Sequence, residues 1–141
     1  MELEFIIQNW YLFLALVVII ALLALDPIRQ RAGGTKPVTA VELPQLLNHE
    51  DAVVVDVCES QEFRNGHIPG AINMPMSQLS GDMRKLEKYK KSNTPLVLSC
   101  RSGARANKAA NILKKAEFGN LYTLTGGLMA WQKENLPVEK S

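Results

Sequence analysis

The feature that most constrains this chain is an uncharged apolar run near its N-terminus, FIIQNWYLFLALVVIIALLAL (residues 5–25), whose polar residues are Gln8 and Asn9. As a helix, about 21 residues would extend about 31 Å, enough to cross the hydrocarbon core of a bilayer. A cleaved signal peptide is the alternative. Such peptides begin with Lys or Arg and have a shorter apolar stretch, whereas Glu2 and Glu4 precede this run. The sequence therefore predicts a retained transmembrane helix at residues 5–25.

The charges that flank this run predict its orientation. No Lys or Arg precedes it, while Arg29, Arg31 and Lys36 follow it closely. By the positive-inside rule, the C-terminal part lies in the cytoplasm, which in a bacterium means a single-pass inner-membrane protein with its N-terminus outside. Residues 26–37, which contain the polar stretch RAGGTKP, are expected to form a linker. The remaining residues, 38–141, are enough for one domain with its own core.

Composition excludes several classes of function. The formal net charge is only +2, so neither a nucleic acid nor another strong polyanion is indicated as a partner. Two cysteines are too few for a disulfide framework, and a cytoplasmic location would keep them reduced. No Cys/His cluster has the spacing of a metal site, and no glycine-rich nucleotide fingerprint occurs, so no cofactor and no metal are predicted.

The remainder of the chain alternates between strand and helix patterns. Short apolar runs at residues 52–57, 71–75, 95–99 and 121–125 read as strands, and helical patterns lie between them. This order predicts an α/β domain with a small, mostly parallel sheet flanked by helices. Sites in such sheets form beyond the carboxyl ends of the strands. Residues 56–58, 100–105 and 125–127 follow three of these strands, and we expect them to meet at one pocket.

Cys100 is the strongest candidate for a reactive group. It lies in a tight turn between a predicted strand and a predicted helix, with Gly103 inside the turn and Arg101 and Arg105 beside it. A thiolate, not a thiol, is the nucleophile, and a helix N-terminus, converging amides and arginine charge all favour the anion. The same surroundings would stabilise an anionic persulfide. The alternative is a buried cysteine that acts as a small apolar residue.

Three motifs in register resemble those of rhodanese-domain sulfurtransferases: CRSGAR, VVVDVCESQEFRNGHIPGAINMP and LTGGLMAWQKENLPV. The match covers nearly all of residues 38–138. Together with the apolar run, the layout resembles a membrane-anchored, single-domain bacterial member of that family.

The resemblance implies a mechanism in which Cys100 takes the outer sulfur of a donor such as thiosulfate and becomes a persulfide. The acceptor would be cyanide in an assay, and a small thiol or a protein in the cell. A membrane protein is a further possible partner. The resemblance assigns the binding of the anionic donor and intermediate to the loop residues Arg101, Ser102, Gly103, Ala104 and Arg105.

Further residues are expected to support the site. Asp56 is expected to orient a loop or to pair with an arginine such as Arg64. Gly126 and Gly127 are expected to let the backbone approach the pocket closely. Cys58 stands where many family members carry Arg, and the loss of that charge would weaken the binding of an anionic donor or shift the donor preference. Cys58 is either a small core residue or a second thiol that resolves or relays the persulfide.

Two side chains outside this set are expected to be structural. His67 is expected to hold its turn through hydrogen bonds, since Gly66 and Pro69 bracket the segment. Trp131 is expected to pack in the core.

Two other functions remain open at this point. Cysteine phosphatases and arsenate reductases also use a cysteine, an amide cradle and an arginine, but their loops place five residues between the two, whereas four separate Cys100 from Arg105 here. A membrane-tethered docking module with little catalysis is the second alternative.

Overall fold

The computed structural model describes residues 2–31 and 35–141, and for residues 26–31 it describes the backbone only. Two compact units are present, Met1–Gly34 and Thr35–Ser141. The second unit corresponds closely to the domain predicted at residues 38–141. Part of the predicted linker, residues 32–34, lies outside the described residues.

The N-terminal unit contains two helices, α1 (Glu2–Gln8) and α2 (Trp10–Arg31). Among the described residues, no single helix meets the length and hydropathy of a membrane span, while Glu2–Gln8 and Trp10–Leu25 meet them as a pair bent by 70°. The expectation of one continuous helix over residues 5–25 is therefore corrected. The bend falls at Asn9, whose side-chain and backbone amides both donate to the Phe5 carbonyl, at 2.9 and 3.1 Å.

The domain is built on one sheet of five parallel strands in the order β1-β5-β4-β2-β3. Its strands are β1 (Lys36–Val38), β2 (Val53–Asp56), β3 (Ile72–Asn73), β4 (Leu96–Ser99) and β5 (Leu121–Leu124). The predicted parallel α/β fold is confirmed.

The central strand β4 is buried along its whole length, as expected for a strand covered on both faces. It pairs with β2 so that Asp56 lies opposite Ser99. Since the two strands end level with each other, the residues that follow them emerge at the same edge of the sheet. The Val57 amide continues the pairing with a hydrogen bond of 2.9 Å to the Ser99 carbonyl.

Seven further helical segments accompany the sheet. They are α3 (Leu43–His49), α4 (Ser60–Asn65), α5 (Met76–Leu79), a 3₁₀ turn (Met83–Leu86), α6 (Glu87–Ser92), α7 (Ala104–Lys115) and α8 (Gly127–Lys133). The longest of them, α7, buries Ala106, Ala109, Ala110 and Leu113, whose spacing forms one helical face. Because three of these residues are alanines, α7 can lie close to the sheet and fix the position of the loop before it. Trp131 is buried in α8, as expected, and its indole N–H donates to the Pro137 carbonyl at 2.7 Å.

The linker prediction for residues 26–37 is wrong at both ends. The backbone is helical to Arg31, and Lys36 and Pro37 belong to β1. The sequence conceals this strand because it is only three residues long and contains proline, which a sheet tolerates at an edge. Strand β1 is such an edge and pairs with β5 alone. The segment before β4 consists of a 3₁₀ turn followed by α6, and Leu86 at the end of the 3₁₀ turn is fully buried.

Candidate active site

The turn between β4 and α7 holds Cys100, which is only 1% exposed. Gly103 caps α7 in the left-handed region at φ +106°, a conformation that a residue with a side chain rarely adopts. This turn directs the Gly103 amide to the Cys100 Sγ atom, to which it donates a hydrogen bond of 2.9 Å. An amide donor favours negative charge on sulfur, and the structure therefore provides one element of the predicted anion cradle.

The start of α8 holds the Cys100 turn from the other side. The Leu128 amide donates to the Cys100 carbonyl at 2.8 Å, and the Met129 amide donates to the Arg101 carbonyl at 3.1 Å. Gly127 makes this approach possible, because a Cβ atom there would collide with the Cys100 carbonyl oxygen and lie 2.8 Å from that of Arg101. The expected close approach of backbones is thus present, and Gly127 carries it more directly than Gly126 does.

The loop after β2 lies at the same edge and is held by Asp56 and Asn73. The buried Asp56 accepts a hydrogen bond of 2.9 Å from the Cys58 amide. The Asn73 side-chain amide donates to the carbonyls of Asp56 and Cys58 at 3.2 and 2.9 Å. Asp56 therefore orients this loop, and no ion pair joins it to Arg64 in the described part of the chain. Burial raises the pKa of Asp56 above its usual range.

Cys58 is a buried free thiol. Burial, followed by the charge and the hydrogen bond of Asp56, raises the pKa of Cys58 to about 12. The Cys58 side chain is thus almost entirely protonated at neutral pH, which makes it a poor nucleophile. This chemistry favours the core-residue interpretation, and the sulfur relay stays a hypothesis.

Arg105 forms an ion pair that the sequence did not suggest. Its two terminal nitrogens bind the two Glu62 carboxylate oxygens at 2.7 and 3.0 Å. The guanidinium lowers the pKa of Glu62 to about 2, and the carboxylate raises the pKa of Arg105. The predicted role of Arg105 in donor binding stays a prediction, but its guanidinium already has a bidentate partner. Sequence reasoning missed Glu62, for which the only signal was its place in the EF pair of the second motif.

Two cavities flank the Cys100 turn, and the predicted site residues divide between them. A cleft of about 310 Å³ is lined by Cys58, Glu62, Asn65, Gly66, Arg101, Leu128, Met129 and Gln132. We call it the Arg101 cleft. Ser102, Gly103, Ala104 and Gly126 instead line a second cavity of about 330 Å³, together with Pro37, Asn107, Thr123, Leu124 and Thr125. Cys100 itself is among the lining residues of neither cavity, although Arg101 from its turn lines the first and Ser102, Gly103 and Ala104 line the second.

His67 is buried within the loop between α4 and β3. Its Nδ1 atom lies 2.7 Å from the Phe63 carbonyl, and its ring stacks on Phe63 with centroids 3.7 Å apart. The backbone of His67 also pairs with Glu139 in both directions at 2.9 Å. These contacts agree with the expectation that His67 holds its turn.

The fold and the site together define an α/β domain with a parallel sheet, a buried cysteine in the turn between β4 and α7, and a backbone amide directed at its sulfur. The rhodanese-like domain family model matches residues 39–134. The chain therefore belongs to the rhodanese-like domain family.

Several relatives and solved structures are similar to this chain. The uncharacterized protein YibN of Escherichia coli K12 is 32% identical over 136 residues, which cover 96% of this chain and 94% of that protein. The thiosulfate sulfurtransferase GlpE of Shewanella oneidensis is 30% identical over 100 residues, covering 71% and 95%. The crystal structure of a rhodanese-like domain protein from Staphylococcus aureus has 28% identity and a TM-score of 0.63, covering 76% and 99%. Sulfurtransferases are thus among the relatives of this domain, which supports sulfur transfer in general terms.

Proposed function

We propose that this chain is a membrane-anchored sulfurtransferase that moves a sulfane sulfur from a donor to an acceptor through a persulfide on Cys100. The observation that carries the proposal is the hydrogen bond from the Gly103 amide to the Cys100 Sγ atom, in a turn held by α8. The relative GlpE, a thiosulfate sulfurtransferase, supports the same chemistry.

The proposed first step is attack of the Cys100 thiolate on the terminal sulfur of the donor. With thiosulfate, a new S–S bond forms to Cys100, the S–S bond of the donor breaks, and its electron pair leaves with sulfite. The enzyme then carries the anion Cys–S–S⁻, toward which the Gly103 amide supplies a fixed positive dipole. In the second step cyanide or a thiolate attacks the outer sulfur, and the electron pair of the breaking bond returns to Cys100.

The geometry supports sulfur transfer better than phosphate transfer. Cys100 is nearly fully buried, so a reaction partner must reach Sγ with a narrow terminal atom. The Arg105 guanidinium, which would be needed to bind a phosphate, is paired with Glu62 through two hydrogen bonds. A terminal sulfane sulfur is a single atom that can reach Sγ without using Arg105. A phosphate is wider, and it needs the guanidinium that Glu62 already binds.

Intact mass after exposure to thiosulfate tests this proposal. We expect the wild-type protein to gain the mass of one sulfur atom and to lose it when cyanide is added. Because Cys58 is held as a protonated thiol, peptide mapping should place the added sulfur on Cys100 and find Cys58 unmodified. An unchanged mass would contradict sulfur transfer, and a persulfide on Cys58 would support the relay.

The second part of the proposal is the membrane anchor. Residues 5–25 are uncharged, and large apolar side chains from Leu3 to Leu25 are exposed, with Leu3 at 73% and Leu23 at 67%. Such a surface is unfavourable in water, and a bilayer would cover it. The positive charge that follows the run favours a cytoplasmic location of the rhodanese-like domain, at a bacterial inner membrane.

Membrane extraction tests the anchor. We expect the full chain to stay in the membrane pellet after washing with alkaline carbonate and to be released by detergent. A variant with Leu16, Val17 and Ile20 changed to Lys is expected to move to the soluble fraction, because lysine at the centre of a span is unfavourable. Release of the unchanged chain by carbonate would contradict an integral anchor.

A further inference from the structure

Charge is unevenly distributed along the domain, although the net charge of the chain is only +2. Residues 36–82 contain seven acidic side chains and two Lys or Arg side chains, whereas residues 84–115 contain ten Lys or Arg side chains and one acidic side chain, Glu87. This basic segment includes α6, β4 and α7. A small net charge therefore conceals a strongly basic part of the fold.

Five lysines of this segment lie where α6 and α7 end. The side-chain amide of Asn120, which follows α7, donates a hydrogen bond of 3.1 Å to the carbonyl of Asn93, which follows α6. The Lys90 Nζ atom of α6 lies 5.6 Å from the centroid of the Phe118 ring, which also follows α7. The two helix ends are therefore neighbours. Their lysines, which we call the lysine surface, are Lys88, Lys90, Lys91, Lys114 and Lys115.

The lysine surface lies at the amino edge of the sheet, where the strands begin. Because the strands are parallel, β1, β4 and β5 begin at one edge, and the Cys100 turn follows β4 at the other. Helices α6 and α7 end shortly before β4 and β5 begin, at Leu96 and Leu121. Lys36, the first residue of β1, pairs with Tyr122 of β5. The chain therefore enters the domain at the edge that holds the lysine surface.

The lysine surface has an excess of positive charge. All of its side chains except Lys90 are exposed, and none of the five forms an ion pair within the part of the chain that the structure describes. The acidic residues beside them are Glu87, in α6, and Glu117, after α7. Glu50 and Asp51 also lie at the amino edge, but they follow α3, which packs on the opposite face of the sheet from α7.

The proposed anchor limits the distance between this edge and a bilayer. Ten residues separate Leu25, the end of the apolar run, from Lys36, and even fully extended they span only about 35 Å. Anionic lipids of a cytoplasmic leaflet attract clustered lysines, and each lysine near the surface strengthens the attraction by about fivefold. A tether makes such contacts intramolecular, so weak ones suffice. Lysine is depleted in protein–protein interfaces, which favours lipid headgroups over an acidic protein as the occupant.

We propose that the lysine surface binds the anionic headgroups of the membrane that holds the anchor, and that the carboxyl edge of the sheet, with the Cys100 turn, faces the cytoplasm. This inference rests on the membrane anchor of the proposed function and adds an orientation of the domain to it. The Arg101 cleft, formed by residues that follow β2, β4 and β5, then lies on the side of the domain away from the bilayer.

Amine labelling of the full chain in lipid nanodiscs tests this orientation. One disc contains phosphatidylcholine alone, and the other contains equal parts of phosphatidylcholine and phosphatidylglycerol. Neither lipid has a primary amine, so a short pulse of the uncharged reagent N-succinimidyl acetate reports on the lysines, whose acetylation is measured by peptide mass spectrometry. We expect Lys91, Lys114 and Lys115 to react about threefold more slowly or less in the anionic discs at low salt. The difference should disappear in about 1 M NaCl, where the Debye length is about 3 Å.

Lys140 is the reference within the same molecule. It is exposed, and it follows Glu139, whose backbone pairs with His67 in both directions. The neighbouring Gly66 lines the Arg101 cleft, which places this tail near the carboxyl edge. Lys140 should therefore react at the same rate in both discs.

Two variants with the same change in net charge assign the effect to the lysine surface. Lys115→Gln removes one of its charges, and Arg64→Gln is the matched control, because Arg64 is an exposed residue at the end of α4. Glutamine has about the helix propensity of Lys and Arg, so both variants should stay folded. We expect Lys115→Gln to reduce the protection of Lys91 by about twofold or more, and Arg64→Gln to leave it unchanged.

Equal labelling of the lysine surface in the two discs would overturn the inference and favour an acidic protein as the occupant. Protection that persists in high salt, or that Arg64→Gln reduces as much as Lys115→Gln does, would also overturn it. If the chain is not recovered with discs of either composition, it is the proposed anchor that fails, and the two failures are thus distinguishable.

Discussion

Replacing Gly127 with alanine is expected to abolish sulfur transfer and to destabilise the domain. The new Cβ atom would collide with the Cys100 carbonyl oxygen and lie 2.8 Å from that of Arg101, so α8 and the Cys100 turn must move apart. Overpacking of this kind costs about 1–3 kcal/mol. The left-handed conformation at φ +59° adds about 1–3 kcal/mol for a residue with a side chain. Urea unfolding would measure the stability, and thiocyanate formation from thiosulfate and cyanide would measure activity.

Gly70→Ala is the matched control for this prediction. Gly70 has a similarly positive φ of +80°, but a Cβ atom there would meet no atom within 4 Å. The Gly70→Ala variant therefore has the conformational cost of a positive φ, but its new Cβ atom collides with nothing. We expect it to retain sulfur-transfer activity. Equal losses of stability and activity in the two variants would contradict this prediction. They would mean that the close packing of α8 against the Cys100 turn is not required for activity.

Replacing Cys100 with serine is expected to eliminate turnover while the domain stays folded. A serine oxygen can accept the Gly103 amide hydrogen bond in place of Sγ, and the change in volume is small. An alcohol at this position cannot form a persulfide, so activity should fall to the uncatalysed background and no sulfur should be added to the protein. Intact mass and thiocyanate formation check the chemistry, and urea unfolding checks the fold.

The same Cys100→Ser variant separates catalysis from docking in cells. If sulfur transfer is the task of this protein, the variant should fail to restore function in cells that lack the chain, although it reaches the same membrane fraction. Full rescue at equal abundance would instead favour the docking module as the main function. The wild-type chain expressed at the same level is the reference.

The sheet and the position of the cysteine could be predicted from the sequence, because they depend on local patterns. The apolar run that ends at Ser99 fixes β4, and Gly103 and the alanine-rich face after it fix the turn and α7. Once the strands are parallel, the residues after β2, β4 and β5 must meet at one edge. The contact between Gly127 and the Cys100 carbonyl follows from that arrangement.

The partners of the arginines could not be predicted in the same way. Glu62 and Arg105 are 43 positions apart, and their ion pair depends on where α4 lies against the start of α7. The sequence of the Cys100 loop therefore suggests more unpaired positive charge than the folded domain has, because Glu62 binds Arg105. The bend at Asn9 was also missed, because hydropathy measures composition and does not register a side-chain hydrogen bond to a helical carbonyl.

The amides of Leu128 and Met129, which fix the carbonyls of Cys100 and Arg101, come from the last helix of the domain. Because Cys100 precedes these two donors by 28 and 29 positions, it is synthesised first. A nascent or truncated chain that stops before residue 127 has the thiol but lacks the helix that orients its turn. If Cys100 is the site of sulfur loading, we therefore expect loading only in chains that contain α8, and a chain that ends before residue 127 is expected to stay unloaded.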